Sequence, residues 1–148
     1  MTGTTVLTQA AARLLLAPIL VISVAVLVNG YAHVGDGFSA GVIAALGLLL
    51  QYLAFGREHS DRLLRLALAP AAAFVGLLGA LAVALVPLAR GDAILTHSPA
   101  PGTDAIYIGR VELITAVAFD VTVYVLVIGC VVGFVRTMIR TDEEANSR

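Results

Sequence analysis

Four long apolar segments follow one another along the chain, and short polar segments separate them. Taking about 20 apolar residues as one bilayer crossing, the segments lie at about 11–28, 37–55, 63–88 and 111–135. Their apolar residues run on continuously, without the alternation of polar and apolar positions that a transmembrane barrel strand requires. The pattern therefore predicts an all-α integral membrane protein, with residues 1–148 forming a single domain of four transmembrane helices.

The first segment has a second interpretation. One arginine, Arg13, precedes the run "LLLAPILVISVAVLV", an arrangement similar to a secretory signal peptide. No persuasive small-residue cleavage site follows this run. We therefore expect the segment to be retained as the first spanning helix.

The composition agrees with a membrane protein and argues against other classes. Of the 148 residues, 59% are hydrophobic and 13% are charged, whereas ordinary soluble domains are about 25% charged. The formal net charge of -1 gives no basic surface for nucleic acid. The single cysteine, Cys130, lies in an apolar run and cannot form an intramolecular disulfide. The lipid bilayer is the expected environment.

The arginines predict the direction of the crossings. In a four-span arrangement seven of the nine arginines fall on one side, and only Arg90 and Arg110 fall on the other. Because cytoplasmic flanks accumulate basic residues, this distribution predicts that both termini and the "GREHSDRLLR" loop are cytoplasmic. The turn at 29–36 and the loop at 90–110 then face outward.

Small residues recur at every fourth position on three of the predicted helices. Such spacing lets helix backbones approach closely, which is the main source of helix association in lipid. We expect these stripes to pack against other helices, either of this chain or of another subunit. They comprise Gly37, Gly41 and Ala45 on the second helix, Ala72, Gly76, Ala80 and Ala84 on the third, and Gly129 and Gly133 on the fourth.

One carboxylate, Asp120, lies about two turns inside the fourth segment. An aspartate at the centre of a membrane helix costs about 2.5–3.5 kcal/mol, so we expect Asp120 to face protein and not lipid. Tyr124 is one turn further on and can donate to it, while Thr115 and Thr122 form a second polar line. Two roles stay open for Asp120: it lines a hydrated route for a cation or proton, or it docks a neighbouring helix.

The connection between the first and second predicted helices contains two further polar residues of interest, His33 and Asp36. A carboxylate costs little at the membrane interface, so we expect both residues to be solvated. No third ligand is spaced nearby to complete a metal site, and the sequence shows no nucleophile, metal cluster or cofactor motif. We therefore predict no metal, no cofactor and no enzymatic activity.

Two motifs together resemble a known family. The stretch "NGYAHVGDGFSAGVIAALGLLLQYLAFG" is similar to the glycine-rich signature of the MnhB/MrpB family, of the type G-H-N-x-P-G-G-G-F-x-G-G, and "VELITAVAFDVTVYVLVIGCVVGFV" is similar to its final helix. The matching positions are Gly30, Gly35, Gly37, Phe38, Gly41, Phe119, Asp120, Tyr124 and Gly129. The chain departs from the signature at Tyr31, Ala32, Val34, Asp36 and Ala40. No role of the family's His or Asn therefore transfers to this chain.

The resemblance implies a subunit of a Mrp-type multisubunit sodium/proton antiporter in the bacterial cytoplasmic membrane. Its partners would be the other subunits, its transported ions Na+ and H+, and Asp120 would contribute to the cation or proton path or to an interface beside it. Three alternatives stay open: a purely structural assembly subunit, the equivalent subunit of a membrane-bound hydrogenase-type redox complex, and a self-sufficient four-helix exporter. Exporters of that size use an acid in the first helix, and residues 17–28 contain none.

Overall fold

The computed structural model describes residues 6–29, 36–56, 68–89, 91, 94, 107–108, 111–112 and 115–146. Its elements in chain order are α1 (Val6–Asn29), α2 (Asp36–Phe55), α3 (Ala69–Ala89), β1 (Tyr107–Ile108), β2 (Val111–Glu112) and α4 (Thr115–Asn146). Within this described part, four helices are long and apolar enough to cross a membrane. The prediction of four spanning helices is confirmed in that respect.

The start of the fourth helix differs from the sequence prediction. It begins at Thr115, so the prediction of a helix starting near Val111 was wrong. Val111 and Glu112 instead form β2, which pairs antiparallel with β1. The apolar run that contains them fits a short strand as well as a helix, and periodicity cannot separate the two over so few residues.

The N-terminal end of α1 and the C-terminal end of α4 also extend beyond the predicted spans. α1 begins at Val6, before the expected start near residue 11. α4 continues through the acidic tail as far as Asn146, although its apolar part ends at Thr141. Both helices therefore project past the apolar stretch that defined them in the sequence.

The helices lie in the order α1, α2, α4, α3, with α2 and α4 inside the row. α2 contacts α1 on one side and α4 on the other, while α3 packs on α4. Glycine and alanine make the contact surfaces of α2 nearly flat, so that both neighbours approach it closely. Its buried residues are Gly37, Ala40, Gly41, Ala44, Ala45, Gly47, Leu48, Gln51, Tyr52 and Ala54.

Helix directions follow from contacts near the two ends of α2. Ser23 of α1 bonds Ala40, and the earlier residue Ala12 bonds Gln51, so α1 and α2 are antiparallel. Position 37 lies against Asp120, with later residues of both helices meeting further along, so α2 and α4 are parallel. Similar contacts make α3 antiparallel to α4. The directions therefore alternate in chain order, as four successive crossings require.

Along the helix axes, arginines of α1 and α4 lie towards one end, and carboxylates at the starts of α2 and α4 lie towards the other. The guanidinium of Arg13 lies over the ring of Phe55, 4.8 Å from its centroid, where α2 ends. Arg136 and Arg140 lie in the last third of α4, which runs parallel to α2. We call this the arginine end. The opposite end, where α2 begins at Asp36, is called the carboxylate end.

An apolar cluster joins α2, α3 and α4 in the half of the row nearer the arginine end. It consists of the buried residues Ala45, Leu48, Tyr52, Ala69 and Val132. Leu16 of α1 and several partly buried residues of α2 and α4 pack around it. This cluster is the core of the described part of the chain.

Candidate functional site

Asp120 lies on the face of α4 that meets the first turn of α2. A Cβ atom at Gly37 would come within 2.8 Å of the Asp120 Cα and 2.9 Å of its carbonyl carbon, separations that real Cβ atoms essentially never show. The two backbones can meet only because residue 37 has no side chain. Asp120 itself is partly buried at this contact.

The depth of Asp120 follows from the length of α2. At about 1.5 Å per residue, the 20 residues of α2 match a hydrocarbon layer about 30 Å thick. Its first turn therefore lies near one boundary of the layer, and Asp120 lies at the same level. This position is shallower than the sequence suggested, because α4 starts at Thr115. A carboxylate is less costly there than at the bilayer centre.

One turn beyond Asp120, three helices meet at a polar node formed by Ser23, Tyr124 and the carbonyl of Ala40. Ser23 of α1 is fully buried; its hydroxyl donates to the Ala40 carbonyl at 2.8 Å and is hydrogen-bonded to the Tyr124 hydroxyl at 3.1 Å. A serine hydroxyl has one hydrogen, so while Ser23 donates to Ala40 it accepts from Tyr124. The node therefore links α1, α2 and α4.

Ser23 was missed by the sequence analysis, which paired Tyr124 with Asp120 along one helix face. The signal in the sequence is a lone hydroxyl within the apolar run "LVISVAVLV". A serine in such a run is common enough to bond only its own helix. The bond across to Tyr124 depends on which helices are neighbours, and the sequence does not contain that information in readable form.

The two threonines of the predicted polar line do not join this node. Thr122 donates its hydroxyl to the Phe119 carbonyl at 2.7 Å, within α4. Its methyl group would lie 2.7 Å from a Cβ at Gly79, so Thr122 faces α3. Thr115 is partly buried at the start of α4. The structure thus places Thr122 on a different side of α4 from Tyr124.

The small-residue stripes pack against helices of the same chain. A Cβ at Gly41 would be 2.9 Å from the Val127 Cβ, across the contact between α2 and α4. On the other side of α4, a Cβ at Gly76 would be 2.5 Å from the Leu126 nitrogen. These distances leave no room for a side chain, so both glycines are used inside the chain.

The two glycines of the α4 GxxxG motif differ in their surroundings. A Cβ at Gly129 would be 2.7 Å from the Ala69 carbonyl oxygen, whereas one at Gly133 would have only Pro70 atoms nearby, at 3.6 Å and beyond. Gly129 therefore permits the close approach of α3. At Gly133 the space is sufficient for a methyl group.

Two amide side chains tie α1 to α2 nearer the arginine end. The buried Gln51 donates from Nε2 to the Ala12 carbonyl at 2.8 Å. Gln9 donates from Nε2 to the Ala54 carbonyl at 3.3 Å, in the opposite direction across the same interface. Each polar amide thus finds a carbonyl within the chain, as burial in lipid requires.

Not every predicted position is placed in this geometry. Gly30, His33 and Gly35 lie outside the described residues. Phe38 is described and is 60% exposed, so it does not pack into the chain's own core. Across the residues that the structure does describe, no group of three His, Cys, Asp or Glu side chains could hold a metal ion.

Comparison with known proteins identifies the family. A family model described as a domain related to the MnhB subunit of Na+/H+ antiporter matches residues 7–133. The chain belongs to the MnhB family. A Na(+)/H(+) antiporter subunit of Alkalihalophilus pseudofirmus is 33% identical to it over 124 residues, covering 84% of this chain and 85% of that protein. The resemblance drawn from the two motifs is confirmed.

The MnhB match extends over the whole of the site described above. It includes Ser23, Gly37, Asp120 and Tyr124, and it ends at residue 133 within α4. Together with the four candidate spans, family membership makes this chain a multi-pass membrane protein. Both the family description and the name of the relative are those of antiporter subunits.

Proposed function

We propose that this MnhB-family chain is a non-catalytic subunit of a multisubunit sodium/proton antiporter of the bacterial cytoplasmic membrane. Its partners are the other subunits of the complex, and Na+ and H+ are the transported ions. The observation that carries the proposal is the similarity to a sodium/proton antiporter subunit over 84% of the chain. Because that similarity covers nearly the full length of both proteins, it concerns the whole subunit.

Asp120 is the residue we propose to lie on the ion path or beside it. Ionisable residues within membrane helices commonly belong to ion pathways and proton relays. Asp120 is partly buried at the contact of α2 and α4, and the hydroxyls of Tyr124 and Ser23 follow within one turn. A carboxylate followed by hydroxyls can exchange a proton or contribute oxygen atoms to a cation.

The orientation we propose places the arginine end in the cytoplasm. Arg13, Arg136 and Arg140 all lie towards that end, and cytoplasmic flanks are enriched in arginine. α1 begins and α4 ends there, which agrees with two cytoplasmic termini. The carboxylate end, with Asp36 and Asp120, then faces outward.

The proposal is tested by co-purification and transport. A tagged copy of the chain, expressed with the antiporter genes of its own genome in a host lacking sodium/proton antiporters, should co-purify with the other subunits. Everted vesicles should then show a sodium-dependent loss of the imposed pH gradient, and omission of this chain should abolish it. Full exchange without the chain, or co-purification with redox-enzyme subunits, would contradict the proposal.

A further inference from the structure

Along the contact of α2 and α4, the polar groups lie nearer the carboxylate end and the apolar cluster lies nearer the arginine end. The carboxylate end holds Asp120 and, one turn deeper, the node of Ser23 and Tyr124. The apolar cluster begins beyond this node and reaches towards the arginine end. A charged or polar group moving along the contact of α2 and α4 would meet these two environments in that order.

We propose that Asp120 exchanges with water from the carboxylate end only, and that this chain does not itself form a continuous path across the membrane. The inference deepens the proposed function, on which it rests for the role of Asp120. An ion that reaches Asp120 would leave towards the same face or pass sideways to a neighbouring subunit. The chain would thus contribute one half of a route.

The burial of the apolar cluster is the first observation against a continuous path through this chain. Ala45 and Val132 are fully buried, Tyr52 is 4% exposed and Leu48 is 8% exposed. They come from the two inner helices of the row and pack with Ala69 of α3. Apart from the Tyr52 hydroxyl, these side chains offer no polar group to an ion or a water chain, and transfer of a charge into such a region is strongly unfavourable.

The polar groups at the boundary of the cluster are already engaged. At the node, the Ser23 hydroxyl donates its hydrogen to the Ala40 carbonyl at 2.8 Å. The series of hydroxyl groups that starts at Tyr124 therefore stops at a backbone carbonyl. Deeper in the row, Gln51 donates to Ala12 across the contact of α1 and α2, on the side of α2 away from α4. Beyond Tyr124, Gly41 lies directly against Val127. Between the node and Tyr52, the residues of α2 that line its contact with α4 are therefore apolar.

Cysteine labelling in the assembled complex tests this inference. The exposed native Cys130 is first replaced in C130S, and single cysteines are then introduced by D120C and V132C. Asp36→Cys and Thr141→Cys serve as references for the two membrane faces. A charged, membrane-impermeant methanethiosulfonate is added to right-side-out or inverted vesicles, and labelling is measured on this chain after separation of the subunits.

We expect Asp120→Cys to react with reagent added on the membrane face from which Asp36→Cys is labelled. From the opposite face, which labels Thr141→Cys, its reaction should be slower by about tenfold or more, because the reagent needs a hydrated thiolate. Val132→Cys should react from neither face until the complex is denatured. If D120C prevents assembly, Tyr124→Cys provides the same measurement one turn deeper. Labelling of position 120 from the Thr141 face, from both faces equally or from neither would overturn the inference.

Labelling of Val132→Cys in intact membranes would overturn the inference as well. The experiment is independent of transport activity, because it measures only access of a reagent to a thiol. A complex that fails to exchange sodium for protons can still show one-sided labelling. Failure of the proposed function and failure of this inference are therefore distinguishable.

Discussion

Gly37 and Asp120 are in backbone contact where α2 and α4 begin to run side by side. A Cβ atom on residue 37 would lie 2.8 Å from the Cα of Asp120 and would also meet its carbonyl oxygen. The Cα–H bond of Gly37 thus points at that carbonyl, an arrangement typical of close helix contacts. The position of Asp120 beside α2 therefore depends on the absence of a side chain at residue 37.

The Gly37→Ala variant should destabilise the subunit. The atoms that a methyl group would meet are backbone atoms of Asp120, which cannot move away by rotation of a side chain. We expect a loss of about 1–3 kcal/mol, as is usual for overpacking, measured by thermal unfolding of the solubilised complex. Ser39→Ala, an exposed change two residues later, should leave the melting temperature unchanged. Equal melting temperatures for both variants would contradict the contact.

The GxxxG motif of α4 provides a matched pair of substitutions. Gly129→Ala should separate α3 from α4, because the Ala69 carbonyl oxygen occupies the space that the methyl group needs. Gly133→Ala should be tolerated, since its nearest neighbours are Pro70 atoms at 3.6 Å, and better helix propensity can add up to about 1 kcal/mol. Thermal unfolding of the two variants in the same detergent distinguishes them. A larger drop in melting temperature for Gly133→Ala than for Gly129→Ala would contradict the described packing of α3 on α4.

The bond between Ser23 and Tyr124 should appear as a coupling in a double-mutant cycle. Ser23→Ala and Tyr124→Phe each remove one partner of the 3.1 Å contact. Hydrogen bonds between membrane helices contribute about 0.6 kcal/mol on average and up to about 1.7 kcal/mol, so the double variant should lose less stability than the sum of the single losses. Equilibrium unfolding of the four proteins measures the difference. Strict additivity would mean that the two hydroxyls do not interact.

The two amides between α1 and α2 should differ in importance. Gln51→Leu removes a buried bond of 2.8 Å, whereas Gln9→Leu removes a partly buried one of 3.3 Å. We expect the larger loss for Gln51→Leu because its hydrogen bond to Ala12 is shorter and more deeply buried than that of Gln9. Protease protection of α1 in membranes would report the loosened contact. A larger effect at Gln9 would reverse the interpretation.

The sequence predicted the four spans well, but it misplaced the start of α1 and both ends of α4. In lipid, the backbone N–H and C=O groups of a long apolar run must be hydrogen-bonded within the protein, and a helix achieves this. The spans at 11–28 and 37–55 accordingly correspond to α1 and α2. The start of the fourth helix was placed near Val111, four residues before Thr115, because composition does not distinguish a short apolar strand from the first turn of a helix. The order of the helices in the row was not predictable, since contacts between them depend on tertiary packing.

The site was predicted in part. Asp120 and Tyr124 stood out as polar residues in an apolar run, and spacing placed them on one face of α4. The stripes of small residues were expected to pack, but only the structure shows that they do so within this chain. Ser23 and Gln51 gave weak signals because each is a single uncharged polar residue. Their partners lie on other helices, which one sequence does not reveal.

The most direct test of the account is sodium-dependent proton movement in everted vesicles that contain the assembled Asp120→Asn complex. Asn keeps the size of the side chain and removes its ability to ionise, so assembly should persist on native gels. Asp36→Asn is the matched control: the same chemical change near the same level, at the first residue of α2. We predict that Asp120→Asn loses most of the exchange while Asp36→Asn retains it. Exchange at the wild-type rate in a fully assembled Asp120→Asn complex would show that Asp120 only docks a neighbouring helix.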